Sequence, residues 1–199
     1  MYVIGLTGGI GSGKSTASRW LAENGIPIID ADKTVHELYK DPSTIKAIVD
    51  AFGEGILSDG EINRKALGQI VFAHNEKRVR LEKIIHPRVQ ESMVAQQKAW
   101  EAKGAKVCVW DVPLLFESHM EHFVDEIWVV WVPRDIQVER IRKRDSLSME
   151  DIKLRLRAQE SLDGKREKAQ IVIDNSGTWE KTEEQLRKEL ERISRRVGS

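Results

Sequence analysis

The sequence predicts an α/β fold: a five-stranded parallel sheet covered by helices on both faces, a three-layer sandwich, with a helical segment inserted into it. Five short runs, 2–7, 26–30, 106–112, 126–132 and 170–174, are almost continuously apolar and rich in β-branched residues. That is the pattern of strands buried on both faces, not the alternation of a half-exposed sheet. Helical stretches separate the runs, as parallel crossovers require. The gap between the second and third runs, residues 31–105, is far longer than a crossover needs and reads mainly as helix.

Taken in order, the first strand, 2–7, leads through a glycine-rich loop into a helix over 14–24 that Gly25 stops. The second strand is followed by helical patterns at 33–39, 42–52, 64–72 and 75–103, with 53–60 a Gly- and Ser-containing loop. The pair His86-Pro87 reads as a turn, because proline restricts the residue before it and lacks the N–H a helix needs. A helix over 135–144 follows the fourth strand, a charged Arg-rich stretch over 145–170 reads as one or two helices, and 178–196 is an amphipathic terminal helix. Trp110, Trp128 and Trp131 lie in strand patterns and are expected to pack in the core.

Composition narrows the function classes. Hydrophobic residues make up 40% and charged residues 32%, the balance of an ordinary globular chain. Lys plus Arg (32) equal Asp plus Glu (32), so the overall basic field that supports non-specific nucleic-acid binding is missing. The N-terminal stretch fits neither a signal peptide nor a spanning helix, which points to the cytoplasm. Cys108, the single cysteine, sits in an apolar run and reads as a buried small hydrophobe with no disulfide partner.

The chemistry starts at residues 8–15, Gly-Gly-Ile-Gly-Ser-Gly-Lys-Ser, which fit G-x-x-x-x-G-K-[ST] between a strand and a helix. Glycines let the backbone turn a row of N–H groups inward on a triphosphate, and the helix N-terminus adds partial positive charge. Lys14 is placed to reach the outer phosphates and the Ser15 hydroxyl to ligate Mg²⁺. Gly11, Ser12, Gly13, Lys14, Ser15 and Thr16 are thus the expected triphosphate-binding residues of a phosphate loop. A dinucleotide site is excluded, because the G-x-G-x-x-G frame starting at Gly9 would need glycine where Lys14 stands.

In an open parallel sheet, ligands bind beyond the carboxyl ends of the strands. That rule selects Asp30, Asp32, Asp111 and Asn175. Asp111 sits where a metal-side carboxylate belongs. Position alone leaves Asp32 open between a general base for an attacking hydroxyl and the N-cap of the helix that follows it. Arg134, Arg140, Arg142, Arg144, Arg155 and Arg157 concentrate positive charge in one stretch, the composition of a lid that stabilises charge in phosphoryl transfer. A nucleotide-dependent switch is the competing class, but there is no N-K-x-D motif, and an insert paired with a lid suits closure over a second substrate.

Beyond the loop, LTGGIGSGKST, IDAD, DGEINRKAL, IIHPRV, DVPLLFE, QVERIRKRD and IDNSG resemble the dephospho-CoA kinase family along nearly the whole chain. The resemblance implies a nucleoside-monophosphate-kinase-like architecture. Residues 1–32, 104–140 and 165–199 would form the nucleotide core, 33–103 the helical acceptor-binding insert and 141–164 the lid. It implies phosphorylation of the ribose 3′-hydroxyl of dephospho-CoA, with ATP and Mg²⁺ as cofactors and Ser15 and Asp111 on the metal. Asp32, Lys14, Arg140 and Arg144 are implied in catalysis. Asp32, Arg64, His86, Leu115, Arg155 and Gln159 are implied in acceptor binding, and Asn175 and Gly177 in the adenine-side loop. The implied partner is the small molecule dephospho-CoA, without nucleic acid or membrane; the sequence leaves the assembly open between a monomer and a weak homo-oligomer.

Overall fold

The computed structural model describes residues 1–145 and 147–198. Its strands are β1 (Tyr2–Gly8), β2 (Ile28–Asp30), β3 (Leu57–Ser58), β4 (Glu61–Ile62), β5 (Val107–Asp111), β6 (Glu126–Trp131) and β7 (Ile171–Asp174). The helices are α1 (Lys14–Glu23), α2 (Ala31–Leu38), α3 (Pro42–Phe52), α4 (Arg64–Ala73), α5 (Asn75–Ala102), α6 (Arg134–Asp145), α7 (Met149–Arg157), α8 (Leu162–Lys168) and α9 (Trp179–Gly198).

The five long apolar runs form one parallel sheet in the order β2-β5-β1-β6-β7. β1 lies in the middle, pairing Leu6 with Asp111 on one side and with Trp128 on the other. Having neighbours on both edges and helices on both faces, it has to be apolar throughout, as Val3 to Leu6 are. Ile4, Leu6, Val109, Trp128, Val130 and Ile173 meet Ala17 and Leu21 of α1 and Leu186 and Ile193 of α9 in one core. Burying each of the larger side chains contributes about 1.5–3 kcal/mol.

The chain forms two compact units, Met1–Ile29 with Ala99–Ser199, and Asp30–Lys98. In the first, α1 closes on a Schellman pattern: Gly25, at φ 81°, donates to the Ala22 carbonyl, and Ile26 donates to that of Leu21. The amphipathic stripe of α9 buries Thr182, Leu186 and Ile193. Trp110 and Trp128 are fully enclosed as expected, whereas Trp131 is half-buried, its indole N–H on Asp163 and the Arg166 guanidinium over its ring.

In the second unit, side chains cap the helices. Asp41 accepts from Thr44 N–H at 2.8 Å ahead of α3, and Asn63 accepts from Ala66 N–H at 3.0 Å ahead of α4. Two expectations are corrected here. The loop at 53–60 contains half of a small antiparallel hairpin, β3 with β4, whose turn residues Asp59 and Gly60 take φ of 53° and 82°. An Asp-Gly pair is among the few that adopt such a turn without strain.

His86-Pro87 is not a turn either: α5 runs through it unbroken. Proline removes one backbone donor, and the Arg88 guanidinium donates to the Ile84 carbonyl at 2.8 Å in the disturbed turn. Twenty-eight residues of continuous helix hold the geometry across one missing bond.

Candidate active site

The loop from Gly9 to Gly13 leaves β1 at the centre of the sheet and enters α1 without a capping side chain or a first-turn acid. A helix N-terminus left in that state is a ready anion site. Gly11 and Gly13 stand at φ 79° and 92°. A Cβ on Gly13 would lie 2.1 Å from Asn175 Nδ2, and one on Gly8 would lie 2.7 Å from Ser12 Oγ. At Gly13 both conformation and space therefore demand glycine. Ser12 is buried, whereas the Ser15 and Thr16 side chains are exposed at the start of α1.

Lys14 forms an ion pair with Asp111, the last residue of β5. The two side chains are 13% and 7% exposed, so their attraction is little screened by water. The residue types offer hard oxygen donors, the Ser15 hydroxyl and the Asp111 carboxylate, which suit Mg²⁺ better than a soft metal. Among the described residues no cluster of three or more His, Cys, Asp or Glu could hold a metal without help.

Asn175, just after β7, is 8% exposed, and its side chain is engaged by protein groups. Its Nδ2 donates to the Ser12 carbonyl at 2.8 Å, its Oδ1 accepts from Thr182 Oγ1 at 2.9 Å, and Arg140 Nη2 donates to its backbone carbonyl at 2.9 Å. Arg140 thereby stands beside the loop. Gly177 is exposed, with a tolerable 3.6 Å between its notional Cβ and Lys181, so the protein itself does not require glycine there.

Arg144 and Arg155, both exposed, converge on Asp145. Arg144 makes a bidentate pair at 2.7 and 2.9 Å, and Arg155 approaches at 3.2 Å. The Arg144 guanidinium holds the Asp145 carboxyl below the usual carboxylate range. Gln159 accepts from the Ile10 N–H at 3.3 Å.

In the unit 30–98, Asp30 is the N-cap of α2, accepting from Lys33 N–H at 3.0 Å, and Asp32 lies inside the first turn and is exposed. The helix starts two residues earlier than the sequence pattern indicates, so the cap of α2 is Asp30 and not Asp32. Arg64, at the first position of α4, has its Nη1 3.0 Å from His36 Nδ1. His86 is half-buried within α5.

Leu115 requires another correction. Its side chain is fully buried, so it presents no surface to an acceptor and serves packing, whereas Leu114 beside it is 40% exposed. The turn containing it, after β5, is fixed by Lys165 of α8, also fully buried, whose Nζ donates to the Pro113 carbonyl at 2.7 Å and pairs with Glu117 at 3.0 Å. Thr7 Oγ1 donates to the same carbonyl at 3.1 Å. Burial pushes the Lys165 ammonium below its ordinary pKa, and the Glu117 partner opposes that shift.

Sequence reasoning passed over Lys165 and Gln137. Gln137 is 3% exposed and donates to the Ile10 carbonyl at 2.8 Å. A signal for it was present: Gln137 stands i, i+4 from Ile141 and beside Val138, among the few non-charged positions of an otherwise highly charged helix.

A family model described as dephospho-CoA kinase matches residues 2–181. A dephospho-CoA kinase of Bacillus licheniformis is 44% identical over 95% of each chain. One of Arabidopsis thaliana is 46% identical over 98% of this chain and 85% of its own. A solved dephospho-CoA kinase from Campylobacter jejuni superposes with a TM-score of 0.73 at 29% identity, covering 97% of both chains. With a glycine loop, an uncapped helix and a buried Lys14–Asp111 pair at the carboxyl edge of a parallel sheet, and with that match along most of its length, the chain belongs to the dephospho-CoA kinase family.

Proposed function

We propose that this chain is an ATP-dependent kinase that phosphorylates the 3′-hydroxyl of the ribose of dephospho-CoA, giving coenzyme A and ADP, the final step of coenzyme A synthesis. Beyond family membership, the observation that carries the reading is the loop itself. Its glycines and the uncapped start of α1 create an anion cradle, and Lys14 is held at its edge by Asp111. Triphosphate oxygens offer Lys14 a second, stronger set of partners, so the lysine shifts from carboxylate to phosphate as ATP enters. Ser15 and Asp111 would then hold Mg²⁺, which neutralises charge on the β- and γ-phosphates.

Asp32 is the residue assigned to orient the attacking hydroxyl and accept its proton. The reaction balances: the acceptor oxygen bonds to the γ-phosphorus, the bond to the β-phosphate oxygen breaks, and the hydroxyl proton passes to the Asp32 carboxylate. Arg64 and His86 belong to the acceptor side of this reading. Arg140 and Arg144 stabilise the charge of the transferring group, and Arg144 and Arg155 exchange Asp145 for substrate phosphate. The adenine lies against the segment from Asn175 to Gly177, with Asn175 acting chiefly through the loop carbonyl it holds.

The test is ADP release with Mg-ATP, comparing dephospho-CoA with AMP, pantothenate and adenosine; release indifferent to dephospho-CoA defeats the reading. Asp32→Asn in the same assay should lower kcat by about 10²-fold or more while thermal unfolding stays near that of the wild type, because Asp30 retains the cap. Full activity would remove Asp32 from the chemistry.

A further inference from the structure

The phosphate loop is held by its neighbours at two residues. Asn175 grips the Ser12 carbonyl, and two glutamines grip both main-chain groups of Ile10. Gln137 Nε2 donates to the Ile10 carbonyl at 2.8 Å, and the Ile10 N–H donates to Gln159 Oε1 at 3.3 Å. Gln137 is 3% exposed, and Arg134 Nη1 donates to its Oε1 at 3.3 Å, which orients the amide. The Ile10 side chain packs on Ile141, Ile152 and Leu156 of α6 and α7. The fit is close: a Cβ on Gly9 would lie 3.0 Å from Gln137 Nε2, and one on Gly11 would lie 3.0 Å from the Gln137 carbonyl.

We propose that Gln137 and Gln159 are positioning residues for ATP, which hold the phosphate loop in its binding conformation through the Ile10 main chain. A glycine-rich loop loses more backbone entropy on ordering than a loop of other residues. Neighbours that impose the conformation in advance remove that cost from the binding step. Gln137 is positioned by α6, the helix of Arg140 and Arg144, and Gln159 follows α7, the helix of Arg155. The same scaffold that presents the arginines therefore sets the shape of the loop. The proposal rests on the reading of this loop as the ATP site.

Gln137→Met and Gln159→Met keep length and remove the polar group. In the full-length protein, the dissociation constant for Mg-ATP without acceptor should rise about tenfold in Gln137→Met and about threefold in Gln159→Met, as expected for one hydrogen bond lost from a pre-organised site. The KM for ATP should rise in parallel in both variants, and in Gln137→Met the KM for dephospho-CoA should stay within about twofold. ATP affinity within about twofold of wild type in both variants, with only the unfolding temperature lowered, overturns the proposal and leaves the glutamines as structural. Should Gln137→Met fail to fold, half-buried Gln159 still decides the matter. Because ATP binding is read without acceptor, a wild type that binds ATP but ignores dephospho-CoA defeats the proposed reaction and not the clamp.

Discussion

Gly13 combines three demands in one position: a φ of 92°, a neighbouring amide 2.1 Å from where a Cβ would be, and the N-cap of α1. Gly13→Ala is expected to cost more than the roughly 1–2 kcal/mol of left-handed strain, because Asn175 must also give up the Ser12 carbonyl. Loss of Mg-ATP binding in calorimetry together with a lower unfolding temperature checks it. Cys108 illustrates the opposite case, a residue whose chemistry is switched off by its setting. Burial pushes its thiol up to about 12, so at pH 8 only about one part in 10⁴ is thiolate. The native protein should therefore resist thiol reagents at that pH and react fully once unfolded in denaturant. At this scale the motif residues were legible because backbone chemistry dictates them. Leu115 and the cap were not, since burial and a helix start two residues earlier depend on packing that no local pattern reports.

Among the elements, α5 gives the clearest lesson. Pro87 is exposed in mid-helix, so local preference argued for a break, yet the helix continues on the bonds of its other turns and on buried Ile85, Val89 and Met93. Pro87→Ala restores a backbone donor and relieves the ring's clash with the carbonyl four residues back. The variant should gain about 1–3 kcal/mol, visible as a higher midpoint in denaturant with an unchanged slope. A lower midpoint would mean that the proline shapes a bend the insert needs. The β3–β4 hairpin was missed for the converse reason: its strands are too short to show alternation, and the Asp59-Gly60 turn pair was its only sequence mark.

At the scale of the whole molecule, the carboxyl edge of the sheet is assembled from segments far apart in sequence. The Lys165–Glu117 pair joins α8 to the turn after β5, which begins at the site carboxylate Asp111. Lys165→Met leaves Glu117, 25% exposed, without its cation and the Pro113 carbonyl without that donor. A destabilisation of about 2 kcal/mol is expected, lower than for a pair enclosed on all sides, and Lys165→Met combined with Glu117→Leu should recover part of it in thermal unfolding. No helix among the described residues is long and apolar enough to cross a membrane. The parallel sheet, the phosphate loop and the family were legible from the residues alone, because continuous apolar runs, left-handed glycines and long matched motifs are each written in contiguous residues. It took the packed chain to bring Lys14 to Asp111, to make Asp30 rather than Asp32 the cap of α2, and to set Gln137 and Gln159 on Ile10. Lys14–Asp111 and the glutamine contacts join residues distant in the chain, while the cap depends on where α2 begins, so all of them come into being only once the chain has packed.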